Sequence, residues 1–125
     1  MNVKMDFIIK DKIIKLDKAS LGGKKVVSHN SGYIAHFIFD EEWNGLSKTA
    51  RFINDGEYMD CGLDTDDTCE IPIDILKSGI LEVGVYAGNL STTTAAKVSV
   101  KASIVEDSGS PLDPTTLPEW TGGVY

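Results

Sequence analysis

Apolar side chains recur at every second position along much of this sequence, and that period of two restricts the fold more than any other feature. Tyr33–Phe39 places Tyr33, Ala35, Phe37 and Phe39 on one side of an extended segment. Ile80–Ala87 alternates in the same way. A helix would instead repeat its apolar positions about every 3.6 residues. Because turn-forming residues interrupt these runs about every ten positions, the pattern favours a β-sandwich or a barrel over a parallel sheet.

Several turns and one helical segment can be placed from local residue chemistry. Short β-branched runs around Lys10-Asp11-Lys12 predict a first hairpin. Asn54-Asp55-Gly56 lies between two alternating runs, and an Asp-Gly pair in that position is a strong hairpin signal. Pro72 predicts the start of a short helical turn over Ile73–Lys77. The last predicted strand is Ala96–Ile104.

The composition changes at Glu106, and we expect the chain to divide there. Residues 106–125 hold three of the four prolines and no alternating run, which is typical of an extended arm. We therefore expect a β-sandwich domain over residues 1–105 and a C-terminal arm over residues 106–125. Leu117, Trp120 and Tyr125 are the predicted partner-binding residues of that arm, because Trp and Tyr offer the largest apolar contact area.

The charge is acidic overall but unevenly distributed. The net charge is −7, which disfavours a nucleic-acid partner because phosphate binding needs a basic surface. Residues 1–25 carry seven lysines and three aspartates, whereas residues 40–70 carry ten acids against Lys48 and Arg51. This asymmetry suits assembly with copies of the chain or with another protein, although both segments could equally be solvated surfaces. No apolar run is long enough for a membrane span or a secretory signal, so neither location is expected.

The two cysteines, Cys61 and Cys69, flank the acidic segment Asp64-Thr65-Asp66-Asp67. If that segment is a hairpin loop with Leu63 opposite Thr68, the two sulfur atoms lie on opposite faces of the ribbon. We therefore expect free thiols and a protein assembled in a reducing cytoplasm.

No residue pattern predicts catalysis or a cofactor. The sequence lacks a nucleophile elbow, a zinc-binding helix motif and a phosphate-binding loop, so we expect a protein that is not an enzyme. His36 alternates with Ile34 and Ile38 and is interpreted as a sheet histidine. Asp64, Asp66 and Asp67 are a weak candidate for calcium, and a solvated turn is the favoured interpretation.

Trp43 follows three acidic residues directly after the strand over Tyr33–Phe39. It is either a core residue, which is the favoured interpretation, or an exposed contact for a partner protein. If it is exposed, Trp43 joins Tyr58 and Tyr86 as candidates for stacking on a sugar.

Three runs of residues resemble a known family. They are Tyr33–Phe52 (YIAHFIFDEEWNGLSKTARF), Thr68–Pro72 (TCEIP) and Leu81–Thr94 (LEVGVYAGNLSTTT). Together they resemble a small β-sandwich domain of structural proteins from phages and prophages of Gram-positive gut bacteria. In those proteins the domain often stands at the N-terminus of baseplate or tail-fibre components, near baseplate upper proteins. The resemblance covers about residues 25–115, including Asp113-Pro114.

Taken together, the residue patterns and the resemblance predict an all-β fold: an immunoglobulin-like, antiparallel β-sandwich with one short helical turn and an extended, proline-rich C-terminal arm. The resemblance also implies a virion protein, assembled in the bacterial host cytoplasm, whose partners are other phage structural proteins and copies of itself. A baseplate or tail subunit that anchors fibres or acts as an adaptor is the leading expectation. A capsid decoration or head-fibre protein, and a carbohydrate-binding module that contacts the host surface, are the alternatives.

Overall fold

The computed structural model describes residues 2–105, which form ten strands and three short 3₁₀ helices. The strands are β1 (Val3–Lys10), β2 (Ile13–Asp17), β3 (Val26–Val27), β4 (Tyr33–Ile38), β5 (Thr49–Asn54), β6 (Glu57–Gly62), β7 (Thr68–Glu70), β8 (Gly79–Ala87), β9 (Leu90–Ser91) and β10 (Ala96–Lys101). The 3₁₀ helices are Lys18–Leu21, Glu41–Trp43 and Ile73–Ile75. The last of these follows Pro72, where the sequence predicts a helical turn.

The strands form two sheets arranged as a sandwich, which confirms the predicted fold class. Sheet 1 has the strand order β2-β1-β4-β7. Sheet 2 has the order β3-β10-β8-β5-β6, and β9 also pairs with β8. Most pairings are antiparallel, but β1 pairs with β4, and β3 with β10, in parallel. The parallel pairing in sheet 1 arises because the chain leaves that sheet after β2, adds β3 to sheet 2, and returns as β4 beside β1.

The two hairpins predicted from local chemistry are present. Asp11 and Lys12 connect β1 to β2 with φ angles of 52° and 63°. Asp55 and Gly56 connect β5 to β6 with φ angles of 53° and 79°. Two-residue turns with both φ angles positive match the right-handed twist of the strands that they join, so these turns fix the register of both hairpins.

Alternating residues of both sheets form one core between them. Its largest fully buried side chains are Trp43, Phe7, Phe37, Phe52, Met5, Ile9, Ile71, Ile75, Leu76, Leu81, Val83 and Val98. An aromatic row runs through this core from Phe7 to Phe37, Phe39 and Trp43, with successive ring centroids 5.2, 6.1 and 5.1 Å apart. The row links β1 and β4 to the 3₁₀ helix that leads toward sheet 2.

Trp43 is a core residue, with none of its surface exposed to solvent. The core interpretation is therefore right, and the assignment of Trp43 as a partner-binding or sugar-stacking residue is corrected. Burial of the ring follows from its position in the 3₁₀ helix, which turns the side chain back onto Phe39.

The segment around the two cysteines differs from its predicted form. Gly62 ends β6 in sheet 2 and Thr68 begins β7 in sheet 1, so residues 63–67 cross between the sheets and do not close a hairpin. Cys61 pairs with buried Ala50, and Cys69 pairs with buried Ala35. Both sulfur atoms therefore face the interior, not opposite sides of one ribbon. The thiols are free, as expected, and burial raises the pKa of Cys69 to about 12.

Candidate binding surfaces

Four side chains on the outer face of sheet 2 form what we call the tyrosine cluster: Arg51, Tyr58, Asp60 and Tyr86. The β5–β6 register places Arg51 opposite Asp60 and Ile53 opposite Tyr58. Pairing of β5 with β8 places Tyr86 opposite Thr49, two residues from Arg51. Because alternate residues of a strand point to the same side, all four side chains project away from the core.

The tyrosine cluster is held together by charge and by ring contacts. Arg51 donates two hydrogen bonds to the Asp60 carboxylate, from Nε at 2.7 Å and from Nη2 at 2.9 Å. Its guanidinium carbon lies 4.1 Å from the ring centroid of Tyr58 and 5.5 Å from that of Tyr86. The Tyr86 hydroxyl donates to Asp60 Oδ2 at 2.8 Å. Arg51 is thus fixed between two aromatic rings, in the geometry of a cation–π contact.

These contacts shift the ionisation of the cluster. The paired Arg51 guanidinium holds the pKa of Asp60 below its ordinary value. The hydrogen bond to Asp60 raises the pKa of Tyr86, because the carboxylate favours the protonated hydroxyl. At neutral pH the cluster therefore presents a neutral ion pair and an un-ionised Tyr86 hydroxyl.

A groove of about 340 Å³ adjoins the tyrosine cluster and is lined by hydroxyl groups. Arg51, Gly84 and Tyr86 form one side, and residues 91–95, which include Ser91 and three consecutive threonines, form the other. Thr92 lies so close to Gly84 that a Cβ atom added there would be 3.2 Å from Thr92 Oγ1. Aromatic rings beside closely spaced polar groups can bind a ligand that has both apolar faces and hydroxyl groups.

The outer face of sheet 1 carries an exposed apolar surface, which we call the isoleucine face: Ile8, Ile13 and Ile38. Ile8 and Ile38 are direct partners across β1 and β4, and Ile13 lies on the adjacent strand β2. Each of the three is between 42% and 44% exposed. A shallow groove of about 420 Å³ runs beside Ile8 and Ile13 and is flanked by Lys10 and Lys15.

The acidic segment before β7 forms a turn. Asp64 accepts hydrogen bonds from the backbone amides of Asp66 and Thr68 and from the Thr68 hydroxyl, so both of its carboxylate oxygens stabilise that turn. Asp67 instead pairs with Lys48 at 3.3 Å. Across residues 2–105, no three or more acidic, histidine or cysteine side chains are grouped closely enough to hold a metal ion.

The basic N-terminal segment and the acidic middle segment contact each other within one chain. Lys12, at the tip of the first hairpin, pairs with Glu42 at 2.7 Å. The adjacent amide of Asp11 donates to Asp40 at 2.9 Å. Part of the charge asymmetry seen in the sequence is therefore neutralised inside the fold.

The remaining predicted site residues, Leu117, Trp120 and Tyr125, lie outside the described residues. Sequence reasoning identified Tyr58 and Tyr86 but missed Arg51 and Asp60. A signal for the missing pair was present, because the two-residue turn at Asp55-Gly56 fixes the register that places Arg51 opposite Asp60.

Comparison with known proteins gives a likeness to solved structures only. A scan of family models finds no match to this sequence, and a search of curated proteins also finds none. Among solved structures, the N-terminal domain of phage TP901-1 ORF48 matches with a TM-score of 0.46 and 10% sequence identity. The match covers 81% of this chain and 97% of that chain. At these values it assigns neither a family nor a function.

Within residues 2–105, no helix has both the length and the apolar character required to cross a membrane.

Proposed function

We propose that this chain is a non-enzymatic structural protein of a phage virion. In this proposal it is a subunit of the baseplate or tail, where it anchors fibres or acts as an adaptor. It docks on other virion proteins and on copies of itself. The resemblance of Tyr33–Phe52, Thr68–Pro72 and Leu81–Thr94 to phage structural domains supports the virion assignment. Many residues of these runs are core residues, including Phe37 and Trp43, so the resemblance supports the sandwich. The runs also contain Arg51 and Tyr86 of the tyrosine cluster.

The isoleucine face is the observation that carries the docking part of the proposal. The solvated face of a sheet is ordinarily polar, whereas here three isoleucines on adjacent strands of the mixed sheet 1 stay more than two-fifths exposed. Removing such apolar area from water is favourable by about 25 cal/mol per Å². Because Lys10 and Lys15 outnumber the one acid of the adjoining groove, Asp11, the complementary partner surface is apolar with carboxylates at its edge.

The virion assignment is tested by locating the protein in particles. Antibodies against the chain are applied to purified, intact particles of the source phage, and gold labels are counted by electron microscopy. We expect labels at the tail end. Labels on the capsid would instead support the decoration or head-fibre alternative. Particles with no label, and no peptide of this chain in their mass spectrum, would overturn a virion role altogether.

A carbohydrate-binding module is the second candidate, and the tyrosine cluster favours it. Tyr58 and Tyr86 lie on one face of sheet 2, with the exposed fraction of Tyr58 at 58%. The hydroxyl-lined groove beside them offers hydrogen-bonding groups next to the rings. Buried Trp43 plays no part in this candidate site.

The glycan candidate is tested by titrating the protein with soluble cell-wall polysaccharide from the host while tyrosine fluorescence is followed. We expect Tyr58→Ala to raise the dissociation constant about fivefold, because one aromatic contact contributes roughly 1 kcal/mol. Tyr58→Phe, which keeps the ring, is the matched control and should bind like the wild type. A flat titration curve for the wild type would remove this candidate.

A further inference from the structure

A second groove, of about 410 Å³, lies between the β2 edge of sheet 1 and the β3–β10 side of sheet 2, and no function discussed above uses it. We call it the lysine groove. Its apolar lining consists of Leu16, Leu21, Val26, Ile80 and Val98. Its rim consists of Lys18, Lys24, Lys25, Lys97 and Lys101.

The rim lysines are available to a ligand. All five are exposed, and none forms an ion pair within the part of the chain that the structure describes. The nearest acid along the strand pairing is Glu82, opposite Lys97, and Asp17 precedes Lys18. Five cations therefore surround an apolar groove that has only two carboxylates nearby. One of these, Asp17, already accepts a hydrogen bond from the Ala19 amide. A ligand that fits this groove is acidic and also partly apolar.

The sequence of this chain contains a segment with that chemistry. Residues 106–125 carry four acids and no lysine or arginine. Leu112, Leu117 and Trp120 are interspersed among those acids. Residues 1–105, in contrast, hold all twelve basic residues of the chain against the other fifteen acids. The opposite charges and the shared apolar character make the C-terminal segment complementary to the lysine groove.

The direction in which the chain leaves the sandwich favours a groove on another copy. β3 and β10 run in parallel, and the Ser28 amide donates to the carbonyl of Lys101. The Ser103 amide then donates to Ser28 Oγ, so the chain continues past the C-terminal end of β3. The lysine groove runs from Lys101 back along β10 to residues 23–25, which precede β3. To follow its own groove to residues 23–25, the segment must reverse direction, whereas a segment from a neighbour needs no reversal.

We propose that the lysine groove binds the acidic C-terminal segment, residues 106–125, of a second copy of this chain. The inference rests on the proposed function, in which copies assemble with one another, and it specifies the surface on which each arm docks. Because each copy has both a groove and a segment, the contact is head-to-tail and can close a ring of identical subunits.

The test uses two full-length variants with reversed charges. The groove variant carries Lys24→Glu, Lys25→Glu and Lys97→Glu, and the segment variant carries Asp107→Lys, Asp113→Lys and Glu119→Lys. Molar mass is measured by sedimentation over a range of concentrations. We expect the wild type to associate and the association constant of each variant alone to be at least tenfold lower. An equimolar mixture of the two variants should form a mixed complex. The matched control, Lys4→Glu with Lys12→Glu and Lys77→Glu, changes three lysines outside both the lysine groove and the isoleucine face and should associate like the wild type.

The outcomes separate this inference from the virion assignment. A wild type that stays monomeric, or a groove variant that associates normally, overturns the inference. If the variants are folded by circular dichroism and their mixture does not associate, the segment does not bind a second copy. If the protein is found in virions but is monomeric in solution, only the inference about the lysine groove is overturned. If the protein associates through the groove but is missing from virions, only the proposed function is overturned.

Discussion

The two outer faces of the sandwich differ in whether their side chains have partners within the chain. In the tyrosine cluster of sheet 2, Arg51 is paired with Asp60 and packed between two rings, so the polar groups have partners within the chain. In the isoleucine face of sheet 1, Ile8 and Ile38 lie opposite each other on neighbouring strands, yet a large part of each remains in water. The first surface is complete without a partner, and the second gains free energy only when something covers it. This difference is why we assign docking to sheet 1 and treat sheet 2 as the secondary candidate.

The largest expected effect comes from the core that supports both faces. Trp43→Ala removes a fully buried ring from the aromatic row and should lower the free energy of unfolding by about 3–5 kcal/mol. Urea denaturation followed by circular dichroism measures this change. Docking and glycan binding should then weaken together, because both surfaces lose their support. A change below about 1 kcal/mol would mean that the ring is not packed as the structure describes.

The next effect separates the two faces. Ile8→Ser with Ile38→Ser should weaken binding to the virion partner about tenfold or more, because each side chain has nearly half of its surface left to bury. Stability should change little, since both residues are already exposed. Incorporation into particles, measured by quantitative mass spectrometry, is the readout.

The matched control for the isoleucine face is Ile73→Ser. Ile73 is 43% exposed, like the other two isoleucines, but it lies in the 3₁₀ helix Ile73–Ile75. We expect normal incorporation for this variant. Equal losses for Ile73→Ser and for the double variant would show that general surface apolarity, not the isoleucine face, governs docking.

The contrast between local and distant pairings also explains what the sequence can predict. Turn chemistry at Asp11-Lys12 and Asp55-Gly56 predicts two hairpins. The second turn also fixes three of the four residues of the tyrosine cluster, because it places Arg51 opposite Asp60 and sets the position of Tyr58. The position of Tyr86 depends on pairing between β5 and β8, which are far apart in the sequence. Local chemistry does not encode such a pairing.

The same limit explains the error at the cysteines. Asp64 does form a local turn, as its composition predicts. Whether the strand after that turn joins the preceding strand or the opposite sheet depends on packing of the whole core. β7 pairs with β4 because Cys69 and Ile71 are buried more completely there, facing sheet 2, than an exposed hairpin would allow. The pairing of β1 with β4 in parallel is a second consequence of global topology that no short-range signal predicts.

The smallest expected effect tests whether the tyrosine cluster is satisfied within the chain. Arg51 holds the pKa of Asp60 below the value of about 3.9 expected in the unfolded chain. Since the folded pKa is the lower of the two, the pair stabilises the fold above about pH 4 and loses this contribution as pH falls through the folded pKa. Asp60→Asn should therefore be less stable than the wild type at pH 6, and the difference should shrink at pH 3. In an Arg51→Gln background, which removes the charged donor, Asp60→Asn should have nearly the same effect at both pH values.

Thermal denaturation of the four proteins at the two pH values measures this cycle. If Asp60→Asn destabilises the wild type equally at pH 3 and pH 6, the ion pair does not stabilise the cluster, and the difference between the two outer faces would no longer rest on internal charge pairing.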